Sequence, residues 1–262
     1  MTAFWPYIYS FISQYESFGL YEKSFFENLL VEAHGLVFDV FVLGLVFAWI
    51  DGHRQKREAI ARNLEGLWDL SSFDDKKYVK RKINIIKRLN VFGVNKIDVT
   101  DLTLKDEDLI GFRFMKSNLF GLSFRDCSIF DLNIHDSKLN SSNFSGSNFK
   151  NAKLLNTNFN NSEFINSELV GADFRGSDLF RVKFSGAELR GADFRNSNLK
   201  NAVFDNADLK QANIRKCENI SVEALSKARC LDYIKADEWV LVELKKIRLD
   251  MKFSKNPNKS VD

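Results

Sequence analysis

From Leu104 to Ile214 every fifth residue is Leu, Phe or Ile, 23 positions in succession without one polar intrusion. Neither regular element has this period, since a helix repeats its stripe every 3.6 residues and a strand repeats its face every 2. A strict five needs a backbone that regains its orientation once per pentapeptide, so the pattern predicts a repeat architecture. Two residues before the large position the chain is small from Ser142 onward, through Ser147, Ala152, Thr157, Ser162, Ser167, Ala172, Ser177, Val182, Ala187, Ala192, Ser197, Ala202, Ala207 and Ala212. A large and a small inward residue separated by an outward one fit a short extended side that faces a narrow interior. Two residues after the large position Gly and Asn dominate, as at Gly171, Gly176, Asn196 and Asn201, and both tolerate tight turning and positive φ. Each pentapeptide is therefore a side followed by a corner. If four sides close a square, one coil takes about 20 residues, and the series stacks to nearly six coils, on the order of 28 Å tall.

Folding the series at that interval places Phe124, Phe144, Phe164, Phe184 and Phe204 on one side, with Phe114, Phe174 and Phe194 opposite and mostly Leu on the other two. Stacked aromatic columns fill a bore with dispersion contacts, so the interior is expected to be dry and without a ligand cavity. The stretches Ala172-Asp173-Phe174-Arg175-Gly176 and Ala192-Asp193-Phe194-Arg195-Asn196 resemble the A(D/N)LXX consensus of pentapeptide-repeat proteins. The resemblance covers roughly residues 99–216, and it implies a mainly β fold, a right-handed quadrilateral β-helix. Glu107, Phe112 and Leu122 depart from the small-residue rule, so the first coils are expected to be irregular.

The chain before the repeats follows a different pattern. Leu36 to Ile50 is apolar all the way round a helix, and with residues 29–35 it approaches bilayer-spanning length. Two readings stand, a transmembrane helix over residues 29–51 and a helix buried in a soluble bundle. Flanking charge favours the first. Residues 1–28 carry Lys23 against Glu16, Glu22 and Glu27, whereas residues 52–96 carry twelve Lys or Arg against five Asp or Glu. The positive-inside tendency then keeps the basic side and the repeats in the cytoplasm, a single pass through a bacterial inner membrane. No cleavable signal peptide is evident, because a basic n-region is missing and the apolar run starts late. The aromatic residues 3–12 suit the water–membrane boundary, or else an arm packed on the protein itself; residues 1–28 are assigned to this interfacial segment.

Glu32, His34 and Asp39 interrupt the apolar run. An ionisable group inside a span is costly and usually faces protein or water, so these three mark a candidate oligomer contact or polar pathway, against a shallow or protonated Asp39. Beyond the span, residues 52–97 form a basic linker. Ile60, Leu64, Leu67 and Trp68, then Val79, Ile83, Ile86 and Leu89, fall at helical spacing on either side of Ser71-Ser72. Ser72 with Asp75 resembles a helix start, and Gly93 suits the end. Arg54, Lys56, Arg57, Lys80, Arg81 and Lys82 are the basic residues expected to meet anionic headgroups, or else a solvated face. The open ends of a solenoid need covers. The second linker helix is expected to supply one and residues 217–252 the other, with a short helix near Val222, a final helix from Trp239 to Leu249, and a polar tail over 253–262.

Composition adds exclusions. Three cysteines without CxxC spacing point to a reducing compartment, Cys127 and Cys217 sit at the small inward position, and His34, His53 and His135 are scattered. Neither a phosphate loop nor a nucleophile elbow is present, so no enzyme and no cofactor or metal is expected. Some members of the family that the repeats resemble mimic DNA and protect type II topoisomerases. Here residues 101–216 carry 15 acidic and 16 basic side chains, so no anionic field mimics phosphate and no nucleic-acid role is expected. The expected function is a non-catalytic, membrane-anchored scaffold whose rigid faces meet another protein and membrane lipid. The alternative is an oligomerising, channel-like membrane effector.

Overall fold

The structure, a computed structural model, describes residues 23–253 together with Ser10. The aromatic segment 3–12 and the tail beyond 253 therefore lie outside the described residues, Ser10 apart. The chain divides into two units at Ala59/Ile60. In the first, helix α1 (Lys23–Leu70) begins, and its residues from Val31 to Glu58 are exposed. An 18-residue window of α1 has mean hydropathy 2.0 with none of it buried.

The second unit contains the end of α1, helix α2 (Lys76–Val91), the repeats, and two later helices. Short strands β1 (Thr103–Lys105), β2 (Asp108–Ile110), β3 (Arg113–Met115), β4 (Ser123–Arg125), β5 (Ser128–Phe130), β6 (Asn133–His135) and β7 (Lys153–Leu155) mark the first coils. All pair in parallel with partners 20 residues on: Leu104 with Phe124, Leu109 with Ile129, Phe114 with Ile134 and Ile134 with Leu154. Single bridges carry the same interval onward from Asn143↔Glu163 to Asn198↔Glu218. This is a β-helix solenoid with four sides per coil. Along each side, successive residues bond to opposite neighbours: Phe144 N–H donates to Glu163 O (2.8 Å) above and Asn143 N–H to Leu122 O (2.8 Å) below.

The interior is solid. Phe144, Phe164, Phe184 and Phe204 stack at 4.7, 5.3 and 5.5 Å between ring centroids, and Phe174 lies on Phe194 at 5.2 Å and 3°. The two columns meet edge to face, as Phe164 and Phe174 do at 5.6 Å and 90°, an arrangement that complements ring quadrupoles. Phe124 starts its column edge-on to Phe144 at 6.1 Å. The small inward residues fill the corners between the rings. Where they are Ser or Thr they also knit coils together: Ser162 Oγ accepts from Ser142 N–H (3.0 Å) and donates to Leu139 O (2.7 Å), and Ser177 Oγ does the same for Thr157 N–H and Leu154 O.

The corners are left-handed at nearly every repeat, including Asn156 (φ 49°), Arg181 (55°) and Gln211 (61°). Glycine follows a rule there. A Cβ on Gly176 would lie 2.3 Å from Asn156 Oδ1, and one on Gly186 would lie 2.1 Å from Asn166 Oδ1, one coil below. The Asn or Asp of one corner thus leans over the next, and glycine leaves it room.

The coils end differently. At the start, Thr103 N–H donates to Ser71 O (3.0 Å) in place of a preceding coil. The Asn90 side chain pairs with Arg113 as a strand would, donating to its carbonyl (2.9 Å) and accepting from its N–H (3.1 Å). α2 starts at Asp75, whose carboxylate accepts from Lys77 N–H, so Ser72 is not the cap; Gly93 (φ 81°) follows the helix end. Parallel pairing runs past residue 216, and its interval lengthens to 22 at Asp208↔Cys230 and Asn213↔Lys235. The segment with the two extra residues contains helix α3 (Val222–Ser226). Helix α4 (Glu238–Ile247) buries Val240 and Leu244, and Leu249, expected within it, lies beyond it and is exposed.

Gly176→Ala is expected to lower stability by more than the ~1 kcal/mol of a left-handed alanine alone, because Asn156 must also move. Gln211→Gly, over Gly191 and with no such neighbour, is expected to raise it by up to about 1 kcal/mol. Chemical denaturation of the two variants checks both signs.

Candidate interaction surfaces

The outward faces of the solenoid carry many charges, and the later coils neutralise them in place. Arg175 Nε and Nη2 clamp Asp173 at 2.8 and 2.7 Å, Arg195 clamps Asp193 in the same way, and Arg175 lies 3.9 Å from Asp193. Burial alone pushes the Asp193 carboxyl up, but the bonds from Arg195 and the charge of Arg175 outweigh it and hold the group low. On the neighbouring face Arg229 bridges Glu188 (2.6 Å) and Asp208 (3.7 Å), and on the opposite face Lys183 meets Glu163 (2.8 Å) across one coil. A bidentate Arg whose fork is filled by its own carboxylate has little left for a phosphate.

One depression of 390 Å³ opens on the face lined by Arg125, Asn143, Ser145, Glu163 and Ile165. It is shallow, and of its two carboxylates, Asp126 and Glu163, the latter already holds Lys183. Among the described residues no group of His, Cys, Asp and Glu is placed to hold a metal ion. Cys127 is buried in the wall, and burial pushes its thiol up to about 11, a protonated and unreactive state.

Phe124, Phe144, Phe164, Phe174, Phe184, Phe194 and Phe204 all lie in the bore, at most 2 % exposed. Glu32, His34 and Asp39 lie exposed along α1, as do Arg54, Lys56 and Arg57, with Arg54 paired to Glu58 at 2.9 Å. On α2, Lys76, Lys77, Lys80, Arg81, Lys87 and Arg88 are exposed. None of these six has an ion-pair partner among the described residues, in contrast to the clamped arginines of the solenoid.

Lys82 corrects the sequence reading. Expected to face lipid, it is wholly buried. Its ammonium donates to Ser71 O (3.1 Å), Phe73 O (2.6 Å) and Thr103 O. Three donors thus meet three carbonyls where the turn after α1 abuts the first strand. The signal was in the spacing, for Lys82 falls three residues after Val79 and four before Ile86, on the helix's inward stripe. Only its charge argued otherwise. The roles of Asn90 and Asp98 were missed too; Asp98 Oδ1 accepts from Asn118 N–H at 2.7 Å, and such backbone mimicry leaves no mark in a sequence.

A family model described as pentapeptide repeats matches residues 142–179 and 177–215, in 8 copies. Residues 142–215 of the solenoid are built of pentapeptide repeats. Among solved structures, a pentapeptide repeat protein (Rfr23) from the cyanobacterium Cyanothece 51142 is 17 % identical, with 47 % of this chain and 98 % of that one covered, at a TM-score of 0.41. A pentapeptide repeat protein from the Arabidopsis thaliana thylakoid lumen is 21 % identical over 44 % and 82 %, at 0.34. HetL, a pentapeptide repeat protein involved in heterocyst differentiation regulation in Nostoc sp. strain PCC 7120, is 15 % identical over 59 % and 97 %, at 0.31. A search of curated proteins returns no match.

Lys82→Met removes three donors from buried carbonyls and is expected to cost about 2 kcal/mol near neutral pH. Burial pushes the Lys82 ammonium down to about 8 against an ordinary 10.5, with Asp74 opposing. Between those values the unfolded chain holds a proton that the folded chain has lost, so stability rises with pH. The denaturation midpoint of the native chain, relative to Lys82→Met, should therefore climb from about pH 8 to 10.5; a flat difference contradicts the shift.

Proposed function

We propose that this chain is a non-catalytic, membrane-anchored scaffold that presents a rigid pentapeptide-repeat solenoid to a protein partner. One observation carries the reading: the bore is packed with rings, while the apolar stretch of α1 is exposed along its length. A filled interior leaves no pocket for substrate, and an exposed apolar helix of spanning length needs lipid around it. The charge excess of residues 52–96 supports a single pass with the solenoid on the cytoplasmic side, in a bacterial inner membrane. In this reading α2 and α4 cap the two ends of the solenoid and prevent further strand addition. The self-neutralised outer charge favours a mixed-charge protein surface over nucleic acid.

Extraction of membranes with alkaline carbonate tests the anchor. The full-length chain should stay with the membrane pellet, and recovery in the supernatant would overturn anchor and topology together.

Asp39, exposed midway along the apolar stretch, favours a second reading in which the chain also oligomerises within the bilayer, with Glu32 and His34 nearby. A carboxyl in hydrocarbon is costly unless it faces protein or water. Asp39→Leu should therefore weaken intramembrane crosslinking between chains, and an unchanged ladder of crosslinked species would remove Asp39 from any contact.

A further inference from the structure

The residue that follows each large inward one points outward, and its character changes along the solenoid. In the last coils this position is charged throughout, at Arg190, Arg195, Lys200, Asp205, Lys210 and Arg215, and in the middle coils its apolar residues Leu155, Ile165, Val170 and Phe180 are half-buried. In the first two it holds Ile110, Met115, Phe120 and Phe130, at 56, 42, 48 and 52 % exposure, beside Lys105, Arg125, His135 and Asn140. Ile110 and Phe130 are paired neighbours on one face, and Met115 and Phe120 sit on the next two sides, so the apolar residues cover three sides of the solenoid while Lys105 and Arg125 occupy the fourth. Trp68, Phe73 and Val91 add exposed apolar surface from the helices at the same end. Trp68 is held there by its indole N–H on Asp98 O, 2.9 Å. The end itself is covered by α2, whose six exposed cations have no ion-pair partner among the described residues.

We propose that the N-terminal end of the solenoid is a lipid-binding surface, a three-sided apolar belt beside a basic helix, that rests on an anionic bilayer. Two coils rise about 10 Å, the depth to which apolar faces sink at the boundary between headgroups and acyl chains, roughly 5–10 Å. Each Lys or Arg near such a surface contributes on the order of 1 kcal/mol. The charge selects the occupant, since six clustered cations repel the same end of a second copy and attract phosphate headgroups. The inference rests on the membrane reading above and adds that the folded repeats themselves touch lipid.

The test uses the full-length chain in vesicles of phosphatidylcholine and phosphatidylglycerol, with the photo-crosslinker p-benzoylphenylalanine in place of Phe120, Phe130 or Phe180. Phe180 lies on the same side as Phe120, three coils further on, or about 14 Å. Irradiation should give lipid adducts at positions 120 and 130, at least several-fold above position 180. Chain-to-chain adducts at 120 and 130 instead of lipid would assign the belt to a second copy and overturn the proposal. Vesicle-bound protein without lipid adducts at either position would overturn it while leaving the anchor intact. Protein that does not sediment with vesicles would sink both.

Discussion

Backbone pairing between each residue and its counterpart 20 positions on governs the solenoid. Because every peptide group on a side must meet one above and one below, each coil has to contain four sides of equal length. The bore is then one side chain wide on each side, and its contents follow: a ring at the large position, a methyl or hydroxyl at the small one. The left-handed corners belong to the same closure, since a chain that turns four times in 20 residues cannot do so in extended conformation alone. Cost at the corners, where Arg181 and Gln211 adopt a conformation unfavourable to them, is offset by stacking within.

Charge is treated differently in different parts of the molecule. On the later coils, Asp173 and Asp193 are each clamped by the Arg two residues on along the same side, and rungs about 4.8 Å apart bring Arg175 to Asp193 and Lys183 to Glu163 of neighbouring turns. On α2 the exposed cations have no such counterparts among the described residues. Lys82 is a third case, a charge used as a backbone donor inside the joint between helix and solenoid. A buried ammonium is a costly donor, but it serves three carbonyls that no peptide N–H at that place could reach together.

How much was legible in the sequence follows from how local each cause is. The five-residue period reports inward packing directly, so the coil, the Phe columns and the glycine or asparagine corners could be read from it. The ends could be placed only coarsely. Helix spacing located α2 but gave its start as Ser72, because a hydroxyl three residues before Asp75 satisfies the capping pattern equally well on paper. Lys82 was misplaced because composition outweighed spacing. The apolar belt escaped notice because Ile110, Met115, Phe120 and Phe130 are unremarkable singly, and only the fold shows them sharing two coils.

The 20-residue interval also makes the length of this molecule a quantised property. The inward position recurs every five residues, so the repeats grow or shrink by whole sides, and the Phe columns stay in register only when they do so by whole turns. The change of interval to 22 at Asp208↔Cys230, in the segment that contains helix α3, is the one break in that arithmetic among the described coils. Variation in reach, from one such chain to another, has that turn as its natural seam.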